Sequence, residues 1–313
     1  TMAHGHSRNY TTLTDATQTL VEPKRSKQFD KRTEPFVHHT RQGLVFELWP
    51  NEYVDRVIAV EGIFERRFVS YLNSVLPRDA VMLDIGANIG NHAIFLAEGC
   101  REIHCFEPNP KVAERLRRNI AHNDLNDRIS VYEFGLGDRD EVLTFAENSE
   151  GNLGASRFIR FGEEVKNNHR IMKLEVKCAA SAIEALNLDR IDFIKIDVEG
   201  MEEAVLTALN EIIAKYRPIV AFEHHEHLAS KGTFARIRNL FEDYRLMEPC
   251  FAPDESARNK ILWNLRHDGG PLLIEVVEPE CRTYDNILAF PDAGQLHYHP
   301  NQAQKHLRTS HND

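Results

Sequence analysis

Val81-Met82-Leu83-Asp84-Ile85-Gly86-Ala87-Asn88-Ile89-Gly90-Asn91 constrains this chain more than any other stretch. An apolar run ends in an acid, a glycine turn follows, and apolar residues then recur at helical spacing (Ile89, Ala93, Leu96, Ala97). Strand, loop and helix in that order place Asp84 and the Gly86–Gly90 loop at the carboxyl end of a strand, where open α/β sheets bind ligands. Gly86 and Gly90 permit positive φ and close approach of another group to the backbone.

About 20 residues on, the chain reads Ile103-His104-Cys105-Phe106-Glu107-Pro108-Asn109-Pro110. An acid at that distance, ending a second strand, is placed to accept both hydroxyls of a ribose. Dinucleotide loops use Gly-x-Gly-x-x-Gly, but counting from Gly86 the second and third glycine positions are Asn88 and Asn91. Side chains there crowd a pyrophosphate and suit a nucleoside without phosphates, such as S-adenosylmethionine (SAM). The same loop also occurs in plain strand-to-helix packing, and a nicotinamide oxidoreductase shares the sheet.

The alternation of strands and helices continues, as in a doubly wound parallel sheet. Core strands are expected near 80–85, 102–107, 129–134, 191–197 and 218–223, and antiparallel strands near 272–278 and 284–290. Residues 1–35 are polar and read as a disordered arm. Residues 36–79 read as a hairpin and helix extension, the helix over 63–75; residues 80–293 form the main domain and 294–313 a polar tail. Residues 140–178 are an insertion, a hairpin or irregular loop, and a candidate acceptor lid.

Asp84-Ile85-Gly86-Ala87-Asn88-Ile89-Gly90, Phe106-Glu107-Pro108-Asn109 and Ile194-Lys195-Ile196-Asp197-Val198-Glu199-Gly200-Met201-Glu202 together resemble the FkbM family of SAM-dependent methyltransferases. Gly62-Ile63-Phe64-Glu65, Gly135-Leu136-Gly137-Asp138, Asn152-Leu153-Gly154 and Asn286-Ile287-Leu288-Ala289-Phe290-Pro291 add smaller matches, so the likeness spans roughly residues 50–291. It implies a Rossmann-like class I methyltransferase fold: a seven-stranded, mostly parallel sheet with helices on both faces. It further implies SAM as cofactor and hydroxyls of sugars, glycans or natural products as acceptors. A small-molecule N-methyltransferase is the alternative within the same chemistry. No metal is required by the resemblance.

On that reading Glu65, Asp84, Gly86, Ala87, Asn88, Gly90 and Asn91 surround the methionine end of the cofactor. Glu107 serves the ribose, Gly135 and Leu136 the adenine, and Asn109 is a further cofactor contact. Asn152, Glu199 and His225 are candidate acceptor contacts.

Asp197 ends the fourth core strand beside the first, which makes it the leading candidate for general base or acceptor-orienting carboxylate. It also sits where an acid ordinarily caps a helix. Lys195, two residues earlier, shares its face, and a buried ammonium needs a partner, either Asp197 or Glu223. His224 is a candidate to take the acceptor proton, since imidazole titrates near neutrality.

The chain carries 38 basic and 48 acidic residues, a formal net charge of −10. That balance argues against a nucleic-acid acceptor, which calls for a basic face. Five scattered cysteines with no Cys-x-x-Cys fit reduced thiols in a cytoplasmic protein. No apolar run approaches the length of a membrane span, and the start of the chain lacks the apolar core of a signal peptide.

Overall fold

A computed structural model describes residues 33–148, 153–159, 169–225, 232–251, 271–276 and 284–292. The main sheet starts with β3 (Ala80–Ile85), in which all six residues are buried. Apolar side chains on both faces of such a strand mark it as central in a parallel sheet. β4 (Cys100–Phe106) and β5 (Ile129–Tyr132) extend the sheet on one side of β3. β10 (Phe193–Ile196) and β11 (Ile219–His224) extend it on the other. All of these pairings are parallel.

β14 (Tyr284–Pro291), β12 (Tyr244–Cys250) and β13 (Leu272–Glu275) complete it in antiparallel fashion. The order is β13-β12-β14-β11-β10-β3-β4-β5. That makes eight strands among the described residues, one more than the seven expected from sequence. β12 was not anticipated, because Glu248 and Pro249 interrupt its apolar pattern. Pro249 pairs with Leu273 of β13, beyond the Tyr244–Met247 stretch that pairs with β14, so its missing N–H falls where the strand has a neighbour on one side only.

Helices cover both faces. Met82, Ile103, Phe193 and Ala221 share one apolar cluster with α2 (Arg66–Val75), α3 (Asn91–Leu96) and α4 (Pro110–His122). Leu83, Ile194, Ile196, Val220 and Phe222 share the other with α5 (Ala179–Glu184), α6 (Glu202–Ala208), α7 (Asn210–Tyr216) and α8 (Thr233–Leu240). Each fully buried aliphatic side chain here contributes about 1.5–3 kcal/mol relative to exposure. The split also fixes which face of the sheet each polar residue occupies.

The extension forms the hairpin β1 (Phe36–His39) and β2 (Val45–Leu48), and then two helices in place of the single one expected. α1 (Tyr53–Glu61) ends at Gly62, whose φ of 90° and N–H bond to the Ile58 carbonyl form a left-handed cap. Glu65 (φ 52°) precedes α2. A buried ion pair between Asp55 and Arg115 and two hydrogen bonds from Arg118 to Glu47 fasten the extension to α4.

The insertion is more regular than a loop. β6 (Gly135–Gly137), β7 (Glu141–Asn148), β8 (Arg157–Phe158) and β9 (His169–Cys178) form a second sheet in the order β6-β9-β7-β8. In β9 the buried Leu174 and Val176 alternate with the exposed Lys173 and Glu175, the signature of a strand with one covered face.

Candidate active site

The glycine loop is bound at both ends. The N–H groups of Gly86 and Ala87 donate to the Phe106 carbonyl at 2.9 and 3.1 Å, tying the loop to the end of β4. Gly86 has φ 84°, and a Cβ there would lie 1.7 Å from the Asp197 carbonyl oxygen. Only glycine therefore lets β3 and β10 end side by side. Gly90 (φ 90°) precedes α3, and a Cβ on it would strike Leu116.

Glu107 joins the glycine loop to the start of α4. One carboxylate oxygen accepts from the Asn88 N–H at 3.0 Å and the other from the Asn109 N–H at 2.9 Å. Burial pushes its pKa up to about 7 against these two bonds, with the Asp197 and Asp84 charges adding to the rise. Each oxygen keeps a free lone pair for a further donor. Asn109 caps α4 by accepting from the Lys111 N–H and donates to Glu147 of β7.

A cleft open to solvent runs along this edge. Gly86, Asn88, Glu107, Asn109, Gly135, Leu136, Asp197 and Glu199 all line it, so residues from four separate stretches of sequence meet there. Ala87, Gly90 and Asn91 do not. The Asn91 side chain instead accepts from the Phe64 N–H and donates to the Phe64 carbonyl, stapling the Gly62–Glu65 turn to α3.

The opposite wall comes from the insertion expected as a candidate acceptor lid, through side chains that the sequence does not single out. Phe145, Leu153, Gly154, Ser156 and Phe158 come from the insertion, with the Phe145 and Phe158 rings edge to face at 5.1 Å. Glu52 of the extension accepts from the Leu153 N–H at 2.7 Å and holds this wall in place. Aromatic residues at 145 and 158 were the available signal, but only the register of β7 on β8 reveals that they meet.

Behind Asp197 lies a buried polar group. Lys195 is 1% exposed and donates to Asp197 at 2.9 Å, one of the two partners anticipated. Its register partners Asp84 and Ala221 flank it on the same face. Burial opposes the Lys195 charge, but Asp197, Asp84, Glu223 and Glu65 outweigh that and hold its pKa above the usual lysine range. Asp84 is fully buried, and neither carboxylate oxygen meets hydrogen-bond geometry with any partner. Burial raises its pKa, outweighing Lys195 and His92; the Ala93 N–H is the weakest of the lowering influences. Glu65 reaches the same group, facing His92 at 2.9 Å and accepting from Asn286 at 2.6 Å.

Glu223 pairs with His225 at 2.8 Å. Burial raises the Glu223 pKa well above its ordinary value, and the Asp197 charge adds to this. Glu199 lines the cleft with φ 49°, its pKa pushed to about 8 by burial and then by Asp197 and Glu223. Glu202 braces the turn by accepting from the N–H groups of Gly200 and Val198.

His224 requires a correction. Strand alternation turns it to the face opposite Lys195 and Glu223, where its ring packs on Phe234 and Tyr284 at 5.1 and 6.4 Å. It is therefore removed from the carboxylates, and His225 takes the place expected for it. Asn152 lies outside the described residues.

The site fits a nucleoside cofactor carrying an amino-acid tail. Glu107 offers two acceptor oxygens to the cleft, and the buried Asp84 carboxylate, whose oxygens no geometric hydrogen bond engages, lies in the acidic group beside the glycine loop. The family model described as "Methyltransferase FkbM domain" matches residues 84–246, more than half of the chain.

The chain belongs to the FkbM methyltransferase family. Its strand order, with the fourth core strand beside the first and an antiparallel strand next to the fifth, is that of a class I methyltransferase. It is 30% identical over 207 residues to the AMB antimetabolite synthetase AmbE of Pseudomonas aeruginosa, covering 55% of this chain and 9% of that protein. It is 29% identical over 215 residues to Methyltransferase 1 of Beauveria bassiana, covering 63% of this chain and 85% of the relative. With the 2-O-methyltransferase NoeI of Sinorhizobium fredii it shares 28% identity over 171 residues, 49% of this chain and just under two thirds (65%) of NoeI. No described helix is long and apolar enough to cross a membrane.

Proposed function

We propose that this FkbM-family chain transfers a methyl group from SAM to a hydroxyl of a sugar, glycan or natural-product acceptor. The observation that carries the reading is Glu107, whose carboxylate lines the cleft while loop amides hold both its oxygens. The name of NoeI, a 2-O-methyltransferase, supports oxygen as the methylated atom. When bound, the cofactor supplies a methyl group on a positively charged sulfur. Glu107 would accept from the ribose hydroxyls, Gly135 and Leu136 would hold the adenine, and Phe145 and Phe158 would supply the apolar wall of the same cleft. Asp84 and Glu65 provide negative charge for the ammonium of the amino-acid tail.

Asp197, aligned by Lys195, faces the cleft and orients the acceptor hydroxyl for in-line attack. Glu223 and His225 complete the acceptor side.

Calorimetric titration with SAM, S-adenosylhomocysteine and NAD(H) tests the cofactor. Micromolar binding of the first two, lost in Glu107→Ala, is expected; preference for NAD(H) would overturn the reading. A panel of neutral methyl glycosides and a methyl glucosaminide then tests oxygen against nitrogen as the acceptor atom.

A further inference from the structure

Glu199 stands apart from the other acids of the cleft. Asp197 is engaged by Lys195, Glu223 by His225, and Glu202 by backbone N–H groups of its own turn. Among the described residues no hydrogen bond or ion pair engages the Glu199 carboxylate, although it faces the cleft from the turn packed against Gly86. The charged groups around it are Asp197 from its own turn, Glu202 from α6, and Glu223 and His225 from the end of β11, with Lys195 behind Asp197. Three of these are carboxylates, and together with burial they favour its protonated form, with a pKa of about 8. A protonated acid cannot accept a proton. A positive charge within about 4–6 Å lowers a carboxyl pKa by roughly 1–3 units, enough to favour the ionised form at about pH 7.5.

Building on the proposed methyl transfer, we infer that Glu199 is the group that takes the acceptor's hydroxyl proton, and that arrival of the sulfonium donor is what frees its carboxylate to do so. In the step, the hydroxyl proton passes to Glu199 as the acceptor oxygen's electron pair forms the bond to the methyl carbon. The broken carbon–sulfur bond leaves its pair on sulfur, which becomes a neutral thioether. With that positive charge gone Glu199 holds the proton, and it loses it to solvent when the next donor binds. Asp197 is a positioning residue on this account. The device keeps the base idle until the donor is in place.

The test needs no acceptor. Proton release on binding SAM and S-adenosylhomocysteine is counted by calorimetry at pH 7.5 in two buffers of different ionisation enthalpy, for the wild type and Glu199→Gln. The donor's own amine and Glu107 contribute equally to both proteins, so the difference between them isolates Glu199. Wild type is expected to release roughly half a proton more than the variant on binding SAM, and no more on binding the neutral product. Glu199→Asp, which keeps a carboxyl, is expected to retain the release. Equal release from wild type and Glu199→Gln, with both ligands bound, would overturn the inference and leave the cofactor reading standing. Failure of the wild type to bind either ligand would overturn the cofactor reading itself, and this inference with it.

Discussion

Replacing Glu107 by Gln separates the ligand-binding worth of this residue from its structural worth. The amide keeps one oxygen for the N–H of Asn88 or Asn109 but turns an NH2 toward the other, leaving one buried donor unpaired. That costs about 1–3 kcal/mol. Against it, the wild-type carboxyl is penalised by burial. Its rise from 4.5 to about 7 corresponds to roughly 3 kcal/mol once the group is ionised. Because the folded-state pKa is raised, the stabilising effect of this group is complete below about pH 4.5 and is lost as pH climbs through 7. At pH 8 the two effects nearly cancel, and urea unfolding of Glu107→Gln should give a free energy within about 2 kcal/mol of wild type.

Binding should behave differently. Two ribose hydroxyls donating to a carboxylate contribute about 1.5–3 kcal/mol each, so S-adenosylhomocysteine affinity should fall at least about 100-fold in the variant. Ligand hydroxyls favour the ionised carboxyl, so wild-type affinity should rise roughly tenfold from pH 6 to pH 8, and this slope should vanish in Glu107→Gln. Affinity within threefold of wild type, or an unchanged pH slope, would refute the assignment.

Other substitutions probe the supports of the site. Lys195→Met leaves Asp84 and Asp197 without their shared cation and should cost about 3–5 kcal/mol in urea unfolding at pH 7.5. Gly86→Ala forces a methyl group against the Asp197 carbonyl at a φ of 84° and should abolish ligand binding along with much of the stability, read by thermal melting. Asp55→Ala strands the buried Arg115 guanidinium and should cost about 3–5 kcal/mol, with hydrogen exchange rising first in the 36–61 segment. Phe158→Ala should weaken S-adenosylhomocysteine binding by about 3–10-fold through loss of an aromatic contact, measured by calorimetry.

The strands that carry the chemistry were legible because each ends in a polar residue after an apolar run. β3 was placed at 80–85 as observed, and Glu107, Asp197 and the glycine loop converge as their spacing implies. Lys195 could be assigned a buried partner because an ammonium in a central strand has few ways to exist. The remainder depended on tertiary neighbours. Asn91 fits a loop contact in sequence, yet its amide is satisfied by the Phe64 backbone 27 residues away. His224 and His225 differ only in which side of β11 they leave from, and the strand's limits decide that. Of the second sheet the sequence suggests a hairpin only, because the pairing that completes it is far apart in sequence: β6 pairs with β9 across the whole insertion.

The contact between Gly86 and the Asp197 carbonyl bears on how this enzyme could be retuned. The loop proposed for the cofactor and the turn proposed for the acceptor share one backbone surface with no side chain between them. Rebuilding residues 197–200 to admit a different acceptor would shift the loop as well, and the change would surface as weakened cofactor affinity before any gain in selectivity. Phe145 and Phe158 stand on a separate sheet, and Leu153 on the short helical turn between two of its strands, where its N–H donates to Glu52 of the extension. Libraries directed at that wall can vary shape and polarity while the strand ends keep their register, which makes it the more forgiving place to begin altering what the cleft accepts.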